Sequence, residues 1–429
     1  MVPPKRRILL SIVGIVAEYN PFHNGHLYHL DQARMATGAE AVVCVMSGNF
    51  VQRGEPAIID KWARAEMALR CGADLVFELP FCFAVRSAYN FALGAVQTLD
   101  RTGVVTHICF GAETPDLPLL QQIAFILSEE PEEFRTRLKA LLDQGHNYPL
   151  ARASAVSSYL SYHTRTLDPN QVLTTMMGPN NILAIEYLRA LRETKSSIVP
   201  VLVPRVGSGY HDTSLTSYAS ATAIRGAFSD PNWDKLVKPY LPSPSHEILL
   251  REIDQGKGPV QEKHLEPVLL ALLRRMTASE LAAIHDITEG LEHRIKKAAR
   301  QSNSLIHLKN LVKTKRYNLT RINRILLYVL FNLTKTRAAS FDETGPAYLR
   351  LLGLSPSGQK ILLKIKSKCR ILLINRVKTV NKLLSPQSHP VARDMFDLDV
   401  LATDIYSLFF AEAQRQGGRD YTVSPIRIR

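Results

Sequence analysis

Four short apolar runs, Leu9–Ala17, Ala41–Met46, Leu75–Leu79 and Val104–Phe110, recur at near-even spacing through the first quarter of the chain. Between them the pattern turns helical, over about 25–37, 59–71 and 87–101. Strand-like runs alternating with helical stretches specify βαβ units and hence a parallel sheet, because a parallel connection needs a crossover long enough to return along the sheet. The runs are apolar almost throughout rather than at every second position, which predicts strands covered on both faces. Ligands of such sheets sit beyond the carboxyl ends of the strands. His23, Ser47, Pro80 and Gly111 all follow such ends.

At the first of those ends the chain reads GIVAEYNPFHNGH (14–26), an apolar run, a polar turn with a proline, and two histidines three residues apart. A helix starting near Asn24 or Gly25 places His23 and His26 by its first turn, where unpaired backbone N–H groups hold phosphate. Gly25 lets a phosphate or a base approach the backbone closely. This is the outline of a nucleotidyl-transfer site, with His23 and His26 as catalytic candidates supplying hydrogen bonds or positive charge. A second anion site is expected where the strand-like run Ser197–Val203 and the glycine-rich loop Pro204–Asp212 lead to a helix start: Ser220, Thr222 and Arg225 offer two hydroxyls and a guanidinium. Lys61 and Arg64 open a helix after the loop Gly48–Gly54 and read either as facing the same cleft or as solvent-exposed helix charges. Glu18, Asp60 and Asp212 are acidic candidates for Mg2+ or for orienting a basic partner, and the sequence does not rank them. Asn180 and Asn181 read either as a turn and cap or as hydrogen-bond partners of a base or ribose. Tyr19 and Phe22 read as stacking or as core residues.

A chain of 429 residues, 46% hydrophobic, is long enough for two domains; we expect a boundary near 240, giving 1–240 and 241–429. Further helices are expected at 116–128, 131–143, 149–163 and 181–192, then at 245–254, 265–276, 288–300, 317–332 and 356–369. No apolar run reaches eighteen residues, which argues against a membrane span. Lys5, Arg6 and Arg7 precede an apolar run, but that run leads into the histidine segment and reads as a strand, not a signal peptide. The five cysteines form no C-x-x-C pair and suit buried thiols in a reducing cytoplasm. Charge is segregated: residues 1–300 carry 31 basic and 31 acidic side chains, whereas 301–429 carry 22 and 8, the whole formal +14. Between 301 and 390 the count is 17 against 2, which predicts a face for a polyanion such as RNA. Lys313, Lys315 and Arg316, with Lys360, Lys364 and Lys368 on one helical face, are the candidate contacts.

The segments GIVAEYNPFHNGHLYHL (14–30), VMSGNFVQRGEPAIIDKWARAEMAL (45–69), GADLVFELPF (72–81), FGAE (110–113), GPNNILAIEYLRAL (178–191), PRVGSGYHD (204–212) and SATAIR (220–225) together resemble the tRNA(Met) cytidine acetate ligases, within the HxGH nucleotidylyltransferase superfamily. The resemblance implies an α/β fold: a nucleotidylyltransferase-like, Rossmann-type parallel sheet that binds ATP, with a mainly helical, basic C-terminal domain that holds tRNA. It implies that ATP and acetate give acetyl-adenylate and pyrophosphate, and that the acetyl group passes to N4 of the wobble cytidine of elongator tRNA(Met). Nucleotide binding would then involve Gly14, Ile15, Val16, Ala17, Glu18, Tyr19, Asn20, Pro21, Phe22, His23, Asn24, Gly25 and His26, with Gly111, Asn180 and Arg205. Two alternatives stand beside this reading. An adenylyltransferase for a small metabolite explains the histidines but not the basic block; a non-catalytic RNA-binding protein explains the block but not the histidines.

Overall fold

The computed structural model describes residues 11–164, 168–205, 219–375 and 380–428. Its strands are β1 (Ile12–Ala17), β2 (Ala41–Ser47), β3 (Phe50–Val51), β4 (Glu55–Pro56), β5 (Leu75–Leu79), β6 (His107–Ala112), β7 (Val199–Pro204), β8 (Tyr348–Leu354), β9 (Leu372–Ile374) and β10 (Ile426–Arg427). Apart from the small β3–β4 hairpin, they form one sheet in the order β10-β8-β5-β2-β1-β6-β7, with β9 also on β8. Pairing is parallel except between β5 and β8.

The near-continuous apolarity of the strands has the expected cause. Val43, Val45, Leu75 and Phe77 feed a core on one face, whereas Val42, Cys44, Met46 and Val76 feed a core on the other. Helices cover both faces, and their starts are set by local capping: Asp60 accepts from Ala63 N, Ser87 from Asn90 N and Ser220 from Ala223 N. The first core continues unbroken from the sheet into the helices beyond 260 through Leu269, Leu273, Ile295 and Leu326. Among the described residues no helix is long and apolar enough to cross a membrane.

The stretch after residue 240 is mainly helical up to Thr344, and then returns to the sheet. Strands β8, β9 and β10 extend the sheet begun by residues 12–79, so residues on both sides of 240 build one sheet. The return is fastened by buried charge. Lys61 Nζ lies 2.8 and 2.9 Å from the two Glu78 carboxylate oxygens and 2.8 Å from Asp420 Oδ1. Arg350, in the middle of β8, pairs with Asp420 and lies 3.3 Å from Glu78 Oε2. All four side chains are at most 3% exposed. Two cations and two carboxylates cancel, so the cluster is neutral although none of its members reaches water.

Removing one member of such a group strands a buried charge, at a cost of about 3–5 kcal/mol, whereas removing an opposite pair costs less. Arg350→Met is therefore expected to lower the chemical denaturation midpoint sharply, and Arg350→Met with Asp420→Leu, which leaves Lys61 and Glu78 balanced, to recover part of the loss. Equal midpoints for wild type and Arg350→Met would show that the cluster contributes nothing.

Candidate active site

Strand β1 ends at Ala17, and the chain turns through Glu18–Phe22 into the helix Asn24–Thr37. Here the two histidines cap the helix reciprocally. His23 is the N-cap, and its Nδ1 accepts from Gly25 N at 3.1 Å; His26 Nδ1 accepts from His23 N at 3.3 Å. Their rings stack with centroids 3.8 Å apart. Because each Nδ1 is an acceptor, each neutral ring carries its proton on Nε2 as a donor. Neutrality follows from the surroundings: burial, then the charges of Arg205 and Arg225, lower His23 to about 3, and burial with His23, His29 and Arg205 holds His26 well below its ordinary value. Two stacked imidazolium rings would also repel each other. Of the two expected contributions, hydrogen bonding is therefore the one this geometry offers.

A cleft of about 490 Å³ opens beyond the strand ends, within the size range of small-molecule sites. Its walls include Val16, Ala17, Glu18, Tyr19, Asn20, His23 and His26 from the first turn. Gly111, Asn180, Arg205, Ser220, Thr222 and Arg225 line the facing side. An adjoining cavity of about 110 Å³ adds Gly25. On the facing side Glu113 accepts from the backbone N–H groups of Asn180 (3.1 Å) and Asn181 (2.8 Å), and so caps the helix Pro179–Glu193, whose own N-cap is Gly178. Asn180 Oδ1 in turn accepts from Arg205 Nη1 at 2.6 Å. Arg225 donates to the Asn20 carbonyl at 3.0 Å, which ties the two walls together. Asn20 Oδ1 accepts from Ile58 N, while its Nδ2 is buried with no protein partner. An orphaned donor of this kind on a cleft wall suits a ligand oxygen.

Several expected residues lie elsewhere, each for a physical reason. Arg64 is fully buried and donates to the carbonyls of Glu18 (2.6 Å), Ser47 (3.1 Å) and Ile59 (3.1 Å) and to that of Gly48, so it holds strand ends together from beneath. Lys61 belongs to the buried charge cluster. Neither faces the cleft. Asp60 caps the helix Lys61–Arg70 and pairs with Arg419 at 2.6 Å, and Asp212 lies outside the described residues, as does most of the loop that contains it. Glu18 does reach the cleft; burial raises its pKa, and its Oε1 accepts from Gln52 N at 2.8 Å. Ile15 and Phe22 are core residues, Gly14 packs against Leu99, and Asn24 donates to the Pro239 carbonyl. Pro21 is also absent from the lining. Tyr19 and Phe22 have their rings 4.7 Å apart, with centroids 5.0 and 5.5 Å from that of His26, and so buttress the histidine. Asn181 bonds Thr114. Among the described residues no three His, Cys, Asp or Glu side chains gather as a metal site.

Sequence reasoning missed several residues of the lining, Arg53 and Glu55 of the β3–β4 hairpin among them. His29 lines both cavities, and its i, i+3 spacing from His26 is the signal that could have found it. Asn318, Thr320 and Arg324 come from the helix region Leu319–Leu330, far along the chain, and no local signal marks them. They are held there because the hairpin β3–β4 packs backbone to backbone on that helix: a Cβ on Gly54, whose φ is +79°, would meet Arg324 N at 2.5 Å. The two expected lysine clusters are separated. Lys313, Lys315 and Arg316 are exposed just before Asn318. Lys360, Lys364 and Lys368 are exposed on the helix Pro356–Lys368, whose ends are tied to Asp74 before β5 and to Arg101 and Gly103 before β6. Those turns enter the strands, at the opposite end of the sheet from the cleft.

Residues 10–420 match the family described as HIGH Nucleotidyl Transferase. The chain is 48% identical to the tRNA(Met) cytidine acetate ligase of Syntrophomonas wolfei over 97% of its length and 99% of that protein's, and 41% identical to that of Thermotoga maritima over 96% and 99%. The apo crystal structure of Thermotoga maritima TmcAL superposes with a TM-score of 0.94 at 40% identity, covering 98% of this chain and all of the other; the same protein bound with alpha-thio ATP gives 0.92. With a β1-to-helix turn capped by two neutral histidines and this likeness along nearly its whole length, the chain belongs to the tRNA(Met) cytidine acetate ligase family.

Proposed function

We propose that this chain is a cytoplasmic tRNA-modifying ligase that activates acetate with ATP and acetylates N4 of the wobble cytidine in elongator tRNA(Met). The observation that carries the reading is the histidine pair: two neutral rings with fixed tautomers, each with an Nε2–H donor, at the carboxyl end of β1 and across the cleft from Arg205 and Arg225. In the first step an acetate oxygen attacks the α-phosphorus, the bond to the bridging oxygen breaks, and pyrophosphate leaves. Such a transfer needs alignment and preorganised donors more than covalent help. His23 and His26 donate to phosphate oxygens as charge builds there, and the guanidinium groups of Arg205 and Arg225 hold the polyphosphate. In the second step the cytidine N4 attacks the acetyl carbonyl carbon, the bond to AMP breaks, and N4 gives up a proton. A magnesium ion bound with ATP would neutralise polyphosphate charge, and Glu18 and Glu55, the carboxylates of the cleft wall, would hold it there; Glu18 is partly committed to Gln52, and Glu55 lies 3.9 Å from Arg225.

Acetate-dependent exchange of labelled pyrophosphate into ATP, run without tRNA, is expected to be positive. His26→Ala should lower that exchange at least ~10²-fold, the size typical of losing a transition-state donor. His23→Asn should do the same while keeping an N-cap acceptor, which separates chemistry from the roughly 1 kcal/mol that a cap contributes. No exchange with wild type would sink the reading, and normal exchange in either variant would remove that histidine from the chemistry.

The buried histidines also make stability depend on pH. Unfolded His23 takes up a proton near pH 6.5, whereas folded His23 resists until about pH 3. The unfolded chain therefore binds more protons between these values, so the contribution to stability is complete above pH 6.5 and falls as pH drops toward 3. The slope is at most about 1.4 kcal/mol per pH unit for this group. Urea denaturation at pH 7.5 and pH 5.0 should show a lower midpoint at pH 5.0, and a smaller difference in His23→Asn; an identical difference in both proteins would contradict the assignment.

A further inference from the structure

Beside the cleft, on the helical part of the chain, two adjoining cavities of about 610 and 670 Å³ share His293 and Lys297. Together they form a groove lined by the carboxyl end of the helix Glu266–Arg275, by both ends of the helix Leu291–Gln301 and by Thr314–Tyr317, just past the helix Leu305–Val312. The carboxyl ends of helices carry partial negative charge, and each of these three is met by a cation. Lys296 donates to the carbonyls of Leu273 (3.0 Å), Arg274 (2.8 Å) and Met276. Arg274 donates to those of Ala299 (3.1 Å) and Ser302 (2.8 Å), and Arg294 to those of Leu311 (3.0 Å) and Lys313 (3.3 Å). These three cations already meet the structural need. Arg275, Lys297, Arg300 and Lys315 also line the groove, are exposed, and form no ion pair among the described residues. Glu289, paired with Arg316, is the acidic residue of the lining. The surplus of positive charge therefore faces outward; Glu280, committed to the cap of its own helix, is the nearby carboxylate on which Arg275 acts.

The groove also leads somewhere. Its wall includes Thr314–Tyr317, and within one residue of that segment Asn318 begins the part of the chain that lines the cleft, with Thr320 and Arg324 beyond it. Tyr317 and Arg321 stiffen this junction: Arg321 stacks on the Tyr317 ring at 4.5 Å and pairs with Asp286 at 2.6 Å. We propose that the groove is the track for the phosphate backbone of the RNA, and that Asn318, Thr320 and Arg324 form the threshold over which the acceptor nucleotide passes into the cleft. This rests on the function proposed above, since it takes RNA as the acceptor. A concave lining of exposed arginine and lysine matches a polyphosphate backbone, with guanidinium forks to phosphate oxygens and counterions released on contact. Lys360, Lys364 and Lys368, at the far end of the sheet, stand outside this track. The charge count of the sequence hides the groove, because Arg275, Lys297 and Arg300 fall in the stretch where basic and acidic residues balance overall.

The test is direct binding of tRNA, measured by filter retention at two salt concentrations, with Arg275→Glu/Lys297→Glu/Arg300→Glu set against Lys360→Glu/Lys364→Glu/Lys368→Glu. The groove variant is expected to bind at least ~10-fold more weakly. Its dependence of log K on log salt should flatten by about 2–3, that is ~0.7–0.9 for each of three phosphates no longer neutralised. The far-end variant should keep wild-type affinity and slope. Lys297→Gln alone, a milder change, should shift the slope by about 0.7–0.9 and guards against a folding defect in the triple variant, whose thermal melt is recorded alongside. Wild-type slope and affinity in both groove variants would overturn the proposal, as would loss of binding confined to the far-end variant, or groove-dependent binding to phosphatidylserine vesicles without any to tRNA. Pyrophosphate exchange by wild type tests the chemistry separately, so failure of the groove and failure of the ligase reading are distinguishable.

Discussion

Four buried charges decide how the two halves of this chain meet. Lys61 and Glu78 come from the first sheet units, Arg350 and Asp420 from the last hundred residues, and neither pair is satisfied by water. Such a cluster contributes little net stability compared with apolar packing, but it penalises every arrangement in which one partner is missing. Its effect is registry: β8 docks antiparallel on β5 with Arg350 opposite Glu78. Once β8 is fixed, the segment before it is fixed too. The helix Leu319–Leu330 then stands over the hairpin β3–β4, and the cleft acquires a wall from the C-terminal half.

Around the cleft, order is imposed mainly by hydrogen bonds to backbone groups. Arg64 gathers carbonyls at the ends of two neighbouring strands, the histidines cap a helix and each other, and Glu113 caps a second helix while Asn180 passes its constraint on to Arg205. Groups that would be mobile in water are held before any substrate arrives, which is the condition for electrostatic stabilisation without reorganisation. Neutral histidines belong to the same design. Beside Arg205 and Arg225, a further positive charge would raise the cost of the empty site, whereas an Nε2–H donor adds directional binding without net charge.

The sequence discloses what is written locally. The helix expected to start at Asn24 or Gly25 starts at Asn24, because a histidine N-cap and a turn proline mark it, and the strands β1, β2, β5 and β6 follow their apolar runs within a few residues. Lys61 and Arg64 could not be placed from the sequence. A basic residue in the first turn of a helix after a glycine-rich loop looks like an anion ligand, and what turns both side chains inward are carbonyls and carboxylates distant in the chain. Strand β8, YLRLLGL, was equally opaque: an arginine in its middle reads as a surface residue until Glu78 and Asp420 are seen beside it. The threshold at Asn318, Thr320 and Arg324 has no local mark, since only the approach of Gly54 brings that helix to the cleft.

The late closing of the sheet has a consequence for a chain emerging from the ribosome. Strands β1, β2, β5, β6 and β7 are complete by residue 204, but β8, the second neighbour of β5, is not made until residue 354. For that interval β5, with the sequence LVFEL, is a bare sheet edge, the kind of surface on which unrelated chains pair and aggregate. An inward-pointing charge is one of the devices that protect such edges, and Glu78 is that charge. The Lys61–Glu78 pair that helps lock the finished molecule thus guards the unfinished edge, until Arg350 and Asp420 cover it as a second, matched pair.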